Sequence, residues 1–199
     1  LLELHTLGVD GGYSPRDVQE VARCFTGWGV KPGPGVWPGE FAFDGRAHDP
    51  GPKTVLGAAV AGGLGERDGE EVLDRLARHP STAAFLARKL CRRFVSDDPP
   101  AELVNRIAGV FHRTAGDIRR TLAALLHSPE FLRGGGAKLK RPFHLVVSAL
   151  RGVAAETDGE GPVAHLDRMA QLPFGRALPD GYPDHADAWK GGVLGRWNF

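Results

Sequence analysis

From residue 68 onward the apolar positions recur with the period of a helix. Val72, Leu73 and Leu76 fall within 69–78, and Leu86, Leu90 and Phe94 within 82–95. Leu103, Ile107, Val110 and Phe111 mark 100–113, and Ile118, Leu122, Leu125 and Leu126 mark 117–127. Phe143, Val146, Val147, Leu150 and Val153 mark 142–154. Each set leaves polar residues on the opposite side, the signature of an amphipathic helix laid on a core. The links are short, as between antiparallel packed helices. A last short helix is expected near 163–171. Upstream, Ser14, Pro15 and Asp17 form an N-terminal capping signal for a helix over 15–27, which Gly27 and Gly29 end. Leu1, Leu2 and Leu4 read as the end of a helix stopped by Gly8. The chain therefore reads as the C-terminal part of a longer protein.

The pattern changes between 29 and 60. Residues 29–39 (GVKPGPGVWPG) are too rich in Gly and Pro for helix or strand. Phe41 and Phe43 then alternate with Ala42, and Lys53–Leu56 is a short apolar run, so a two-stranded β ribbon is expected around a loop at 44–52. Such a ribbon needs the helices to lie on. The tail, 172–199, is irregular, but Tyr182, Trp189 and Trp197 should dock it on the core. The fold expected is mainly α: about seven helices in a single-core bundle over 68–171, a small two-stranded β ribbon within 29–60, and an irregular docked tail, all in one domain spanning 1–199.

Composition adds little to this frame. The 199 residues are 42% hydrophobic and 25% charged, with 28 Gly and 15 Pro, ordinary values for a folded domain with many turns. No apolar run approaches the ~20 residues of a membrane span. Net charge is +1, unevenly spread: residues 67–151 carry 16 Lys and Arg against 9 Asp and Glu, the remainder 9 against 15. A basic middle either meets an anionic partner or complements the acidic rest of the same chain, and the interleaving of the segments favours the second. Cys24 and Cys91 sit among apolar residues of helices and read as buried free thiols, with a disulfide as the alternative for an exported protein. No C-x-x-C pair is present, which removes a zinc ribbon.

The candidate functional loop is HDPGPK, with His48, Asp49 and Lys53. A charged cluster on a stiff loop suits an acid/base pair or a metal site. The structural alternative is an Asx-type turn from Asp49 before Pro50, with His48 bonded to the backbone. Asp184 and His185 of the tail could join His48 and Asp49 around a metal, or simply form turns. Arg88, Lys89, Arg92 and Arg93 fall together on the 82–95 helix as a candidate anion-binding face, with a solvated or internally paired face as the alternative. His79 and His127 lie at helix ends, where an imidazole serves terminal carbonyls. No G-x-S-x-G elbow and no assignable Ser-His-Asp order occurs.

The ordered set LLELHTLGVDGGYSPRDVQEVARCFTGW, FAFDGRAHDPGPKTVLG, HPSTAAFLARKLCRRFV, SPEF, KLKRPFHLVVSALR, DGYPD and RWNF resembles the C-terminal half of a large bacterial family, domain of unknown function 1800. The resemblance covers nearly the whole chain. It implies a bacterial source, export in many members, and genes that often neighbour a second family with an alkaline-phosphatase-like fold. It supplies no reaction, no cofactor and no catalytic residue. Three functions remain open. The first is an envelope-associated or exported accessory protein that binds a partner protein, one of alkaline-phosphatase-like fold by the resemblance. The second is a metal-dependent enzyme whose site joins the HDPGPK loop to a preceding half. The third is a weak binder of anions or nucleic acid through the 82–95 helix, and its few charges make nucleic acid a poor fit.

Overall fold

A computed structural model describes residues 1–31, 39–136 and 138–190 of the chain. Helix accounts for about half of the chain, and among the described residues the strands form two small antiparallel pairs. The mainly α architecture read from the periodicity is therefore the one observed. The chain divides into two compact units, 1–86 with 108–117, and 87–107 with 118–199.

The first unit opens with a π-helical turn, Leu2–Thr6, followed by Gly8 at φ +81°. A Cβ at Gly8 would lie 2.9 Å from the Phe85 ring, so only glycine serves there. Helix α1 (Pro15–Cys24) starts as the sequence dictates. The Ser14 hydroxyl accepts from the Asp17 N–H at 3.2 Å, the Asp17 carboxylate accepts the Ser14 N–H at 2.8 Å, and Pro15 takes the first position. The helix ends at Cys24, three residues short of the expected 15–27, and the turn that follows closes at Gly27, whose φ of +84° and close approach to the Asp44 carbonyl no other residue tolerates.

The strands depart from expectation. β1 (Trp28–Lys31) pairs antiparallel with β2 (Glu40–Phe43), and β3 (Lys53–Val55) pairs with β4 (Ala58–Val60). The 40–43 and 53–56 runs are both strands, as expected, but each belongs to its own hairpin: two ribbons stand where one was expected. The assignment of 29–39 as neither helix nor strand fails at its start, where Val30 and Lys31 find ladder partners in Phe41 and Glu40. The remaining 32–38 stretch, with Trp37, lies outside the described residues. Helix α2 (Arg67–Arg78) completes this unit's main core, in which Leu2, Leu7, Val21, Cys24, Val55, Val60, Val72 and Leu76 cluster, with Tyr13 and Phe25 packed against them.

The second unit begins within α3 (Pro80–Phe94) and includes part of α4 (Ala101–Arg113). It continues through α5 (Ile118–Leu126), α6 (Pro129–Arg133), α7 (Pro142–Gly152) and α8 (Glu160–Arg168). The Ser128 hydroxyl caps α6 by accepting the Phe131 N–H at 3.2 Å. Ala87, Cys91, Val95, Leu103, Ile107 and Leu125 are buried. The buried column of α3 is Ala83, Ala87, Cys91 and Val95; Leu86 and Leu90, one position round, are half-buried, and Phe94 is 41% exposed. In the tail Trp189 is buried and donates Nε1–H to the Pro183 carbonyl at 2.9 Å, while the Tyr182 hydroxyl donates to the Leu172 carbonyl at 2.9 Å. Trp197 lies outside the described residues. Among those residues no helix is long and apolar enough to cross a membrane.

Candidate functional site

The HDPGPK loop leaves β2 and closes on the C-terminal end of α1. Thr26, just past that helix, organises the contact. Its hydroxyl donates to the Arg23 carbonyl at 2.6 Å and accepts the Asp49 N–H at 2.9 Å. Its carbonyl lies 2.9 Å from His48 Nδ1. A carbonyl only accepts, so Nδ1 carries a proton. The His48 ring is buried and meets Phe43 edge-on with centroids 5.4 Å apart.

Asp49 faces the other way. Its Oδ1 accepts the Gly51 N–H at 2.9 Å, an Asx turn, and its carboxylate holds Arg23 through Nε at 2.7 Å and Nη2 at 3.2 Å. The Arg23 guanidinium and then the Gly51 N–H hold the Asp49 carboxyl down to about 2, below its ordinary value of 3.8. Arg23 also pairs with Glu20 one turn back at 3.0 Å, and Glu20 accepts the Thr54 N–H at 3.0 Å. The structural alternative set out for this loop, an Asx turn at Asp49 and a backbone bond from His48, is thus the local geometry found.

Beneath the loop lies a group that the sequence reading did not single out. The Lys53 ammonium donates to Asp68 Oδ2 and to the Asp49 carbonyl. Both side chains are fully shielded from solvent. His48 Nε2 comes within 3.2 Å of the same Oδ2 without the alignment of a hydrogen bond, and Asp68 Oδ1 has no partner among the described residues. The signal for Asp68 was available: it stands four residues before Val72 and eight before Leu76, on the buried stripe of α2. An acidic residue in a first helical turn is ordinarily a dipole partner, so its type conceals its place on the apolar face. The Cys24 thiol is buried in this unit, and burial pushes its pKa up.

The other candidates lie elsewhere. Asp184 and His185 belong to the second unit, and His48 and Asp49 to the first. Asp184 takes Arg141 at 3.1 Å and Arg93 at 4.0 Å. His185 stands 3.4 Å from Asp98 and 3.5 Å from Asp187. Among the described residues no three His, Cys, Asp or Glu side chains converge in a geometry that could hold a metal ion. The basic residues of α3 differ in their surroundings. Arg92 turns to the Asp97 carbonyl at 3.1 Å, Arg93 turns to His144, and Arg88 and Lys89 are exposed.

The model of a family described as protein of unknown function (DUF1800) matches residues 1–199, and the chain belongs to that family. No curated protein and no solved structure matches the chain.

Proposed function

We propose that this member of the DUF1800 family is an accessory or scaffold protein that works by binding a partner protein, and that its HDPGPK loop serves structure. One observation carries this reading: the loop's chemistry is turned inward. His48 bonds the Thr26 carbonyl, Asp49 holds Arg23, and Lys53 is sealed against Asp68. A catalytic acid, base or ligand must come within hydrogen-bond reach of a substrate atom, directly or through one water. The His48 and Lys53 side chains, with almost no exposed surface, offer no such approach, and Asp49, a third exposed, is occupied by Arg23 and the Gly51 N–H. A rigid helical scaffold whose charged loop is closed acts through the surface it presents. Envelope association or export as the setting, and a protein of alkaline-phosphatase-like fold as the partner, rest on the family resemblance, and they define the first pairing to test.

The experiment combines two measurements on one variant of the full-length protein. His48→Ala is melted, and its affinity for such a partner is titrated beside the parent. A drop of several degrees with affinity per folded molecule unaltered supports the structural role of the loop together with partner binding elsewhere. An unchanged melting temperature, with loss of a stoichiometric metal or of partner binding, overturns it and establishes the loop as the working site, as the metal-dependent enzyme reading requires.

A further inference from the structure

The second unit contains a recess of about 230 Å³ beside the last turn of α3 and the start of α7. Four cations line it: Arg93, Lys138, Lys140 and Arg141. Two carboxylates answer them. Asp184 serves both Arg141 and Arg93, and Asp97 pairs with Lys138. Lys140 donates to the Ser148 hydroxyl at 2.6 Å, a neutral acceptor. His144 adds no negative charge and no positive one. Arg93 Nη2 lies 2.7 Å from its Nε2, and a guanidinium only donates, so that nitrogen is an acceptor and the ring is neutral. Burial, then the nearby Arg93 and Arg141, lower the His144 pKa in agreement. Burial also pulls Arg141 down, and Arg93 adds to it. Two guanidiniums thus crowd one carboxylate near the positive end of the α7 dipole, where Gln171 Oε1 accepts the Phe143 N–H at 2.8 Å. An anion would relieve that crowding.

We propose that this recess binds a single tetrahedral oxyanion, a phosphate group or its sulfate equivalent, with Arg93, Lys140 and Arg141 as donors. The volume decides the size of the ligand group: it is below the ~300 Å³ where pockets for drug-sized molecules begin. The arrangement decides against a nucleic-acid strand, which needs charges strung along a groove with aromatic platforms between them. Arginine forks match the oxygens of a phosphate two at a time, and the exposed Lys140 supplies a mobile point charge.

The test is calorimetric titration of the whole chain with inorganic phosphate, with phenyl phosphate as a second probe and chloride at matched ionic strength as the control. Saturable one-to-one binding is expected. Lys140→Gln and Arg93→Gln should each weaken it about tenfold, the loss of one charge-assisted bond. Asp184→Asn should strengthen it, because it removes the carboxylate that competes with the ligand. Phenyl phosphate binding at least as tightly as inorganic phosphate assigns the recess to a phosphate carried on a larger molecule; weaker binding assigns it to the free ion. Lys140 is exposed, so its variant folds whatever becomes of Arg93→Gln. No saturation by ~10 mM phosphate, equal displacement by chloride, or affinities unchanged in both Lys140→Gln and Asp184→Asn overturns the proposal. No partner protein enters this titration, so its outcome is separate from that of the partner assay.

Discussion

Lys53→Met is the sharpest perturbation of the buried polar group. Methionine keeps the apolar reach of the side chain and removes the ammonium. The Asp68 carboxylate, fully shielded, then loses its one lysine partner, and the Asp49 carbonyl loses a donor. Breaking a buried pair by removing one member costs about 3–5 kcal/mol, because the remaining charge stays desolvated. For a chain of this size each kcal/mol lowers the melting temperature by about 2–4 °C, so a fall of about 6–20 °C is expected. Replacing both members, Lys53→Met with Asp68→Leu, should recover most of the loss, since an apolar substitute for a whole buried pair is often neutral or better. Urea denaturation followed by far-ultraviolet circular dichroism and by tryptophan fluorescence measures both, with coincident curves required before a single free energy is taken. High salt should change the difference little, because a shielded pair is weakly screened. A single-variant loss below ~1 kcal/mol, or a double variant as unstable as the two losses added together, would refute the reasoning.

Three further outcomes follow from named contacts. Asp49 has a depressed pKa, so its contribution is in place above the ordinary carboxylate range and lost as pH falls through about 2; a carboxyl-carbon NMR titration should show that midpoint, and Arg23→Gln should move it up. Ser14→Ala should cost about 1 kcal/mol in a urea titration, since it opens the capping box of α1, and it should raise the Asp17 pKa, which the Ser14 hydroxyl holds down. Burial pushes the Cys91 thiol to about 11 and raises Cys24 as well, so a thiol reagent at pH 8 should label neither in the native protein and both in urea; rapid native labelling would contradict the burial of both sites.

The elements that the sequence displayed are those whose signal is local. The Ser14–Asp17 box and the Pro15 start act within one turn, and each appears where it was expected. Pairing is different. The partner of Phe41 is Val30, across a Gly/Pro-rich stretch that hides a strand, and nothing within 40–43 says so. Helix faces were legible only in part: Leu86, Leu90 and Phe94 announce a stripe by size, yet Ala83, Ala87 and Cys91 are the buried apolar residues of α3, and Ile118, Phe143 and Val153 of the expected stripes are exposed. His79 illustrates the same limit. The sequence places it at a helix end, serving terminal carbonyls; in the structure its Nδ1 accepts the Ser81 N–H at 3.1 Å and so opens α3. In the candidate site His48, Asp49 and Lys53 could be singled out by type and spacing. Their use could not, because it depends on Arg23, Thr26 and Asp68, which the chain brings from up to 26 residues away.

The clasp of Arg23 and Thr26 on the 44–52 loop has a consequence for how the chain opens. Surface loops rich in Gly and Pro are ordinarily the first segments to detach, to be nicked by proteases and to accept inserted sequence. This one is sewn to α1 by its own backbone and seated on an ion pair, so it can come away only when the hairpins and α2 come with it. Cleavage under native conditions should therefore spare it and fall instead in stretches such as 153–158, where every residue is exposed. A foreign peptide grafted into 44–52 would break the first unit, while the same peptide placed in 155–158 would be carried as a passenger.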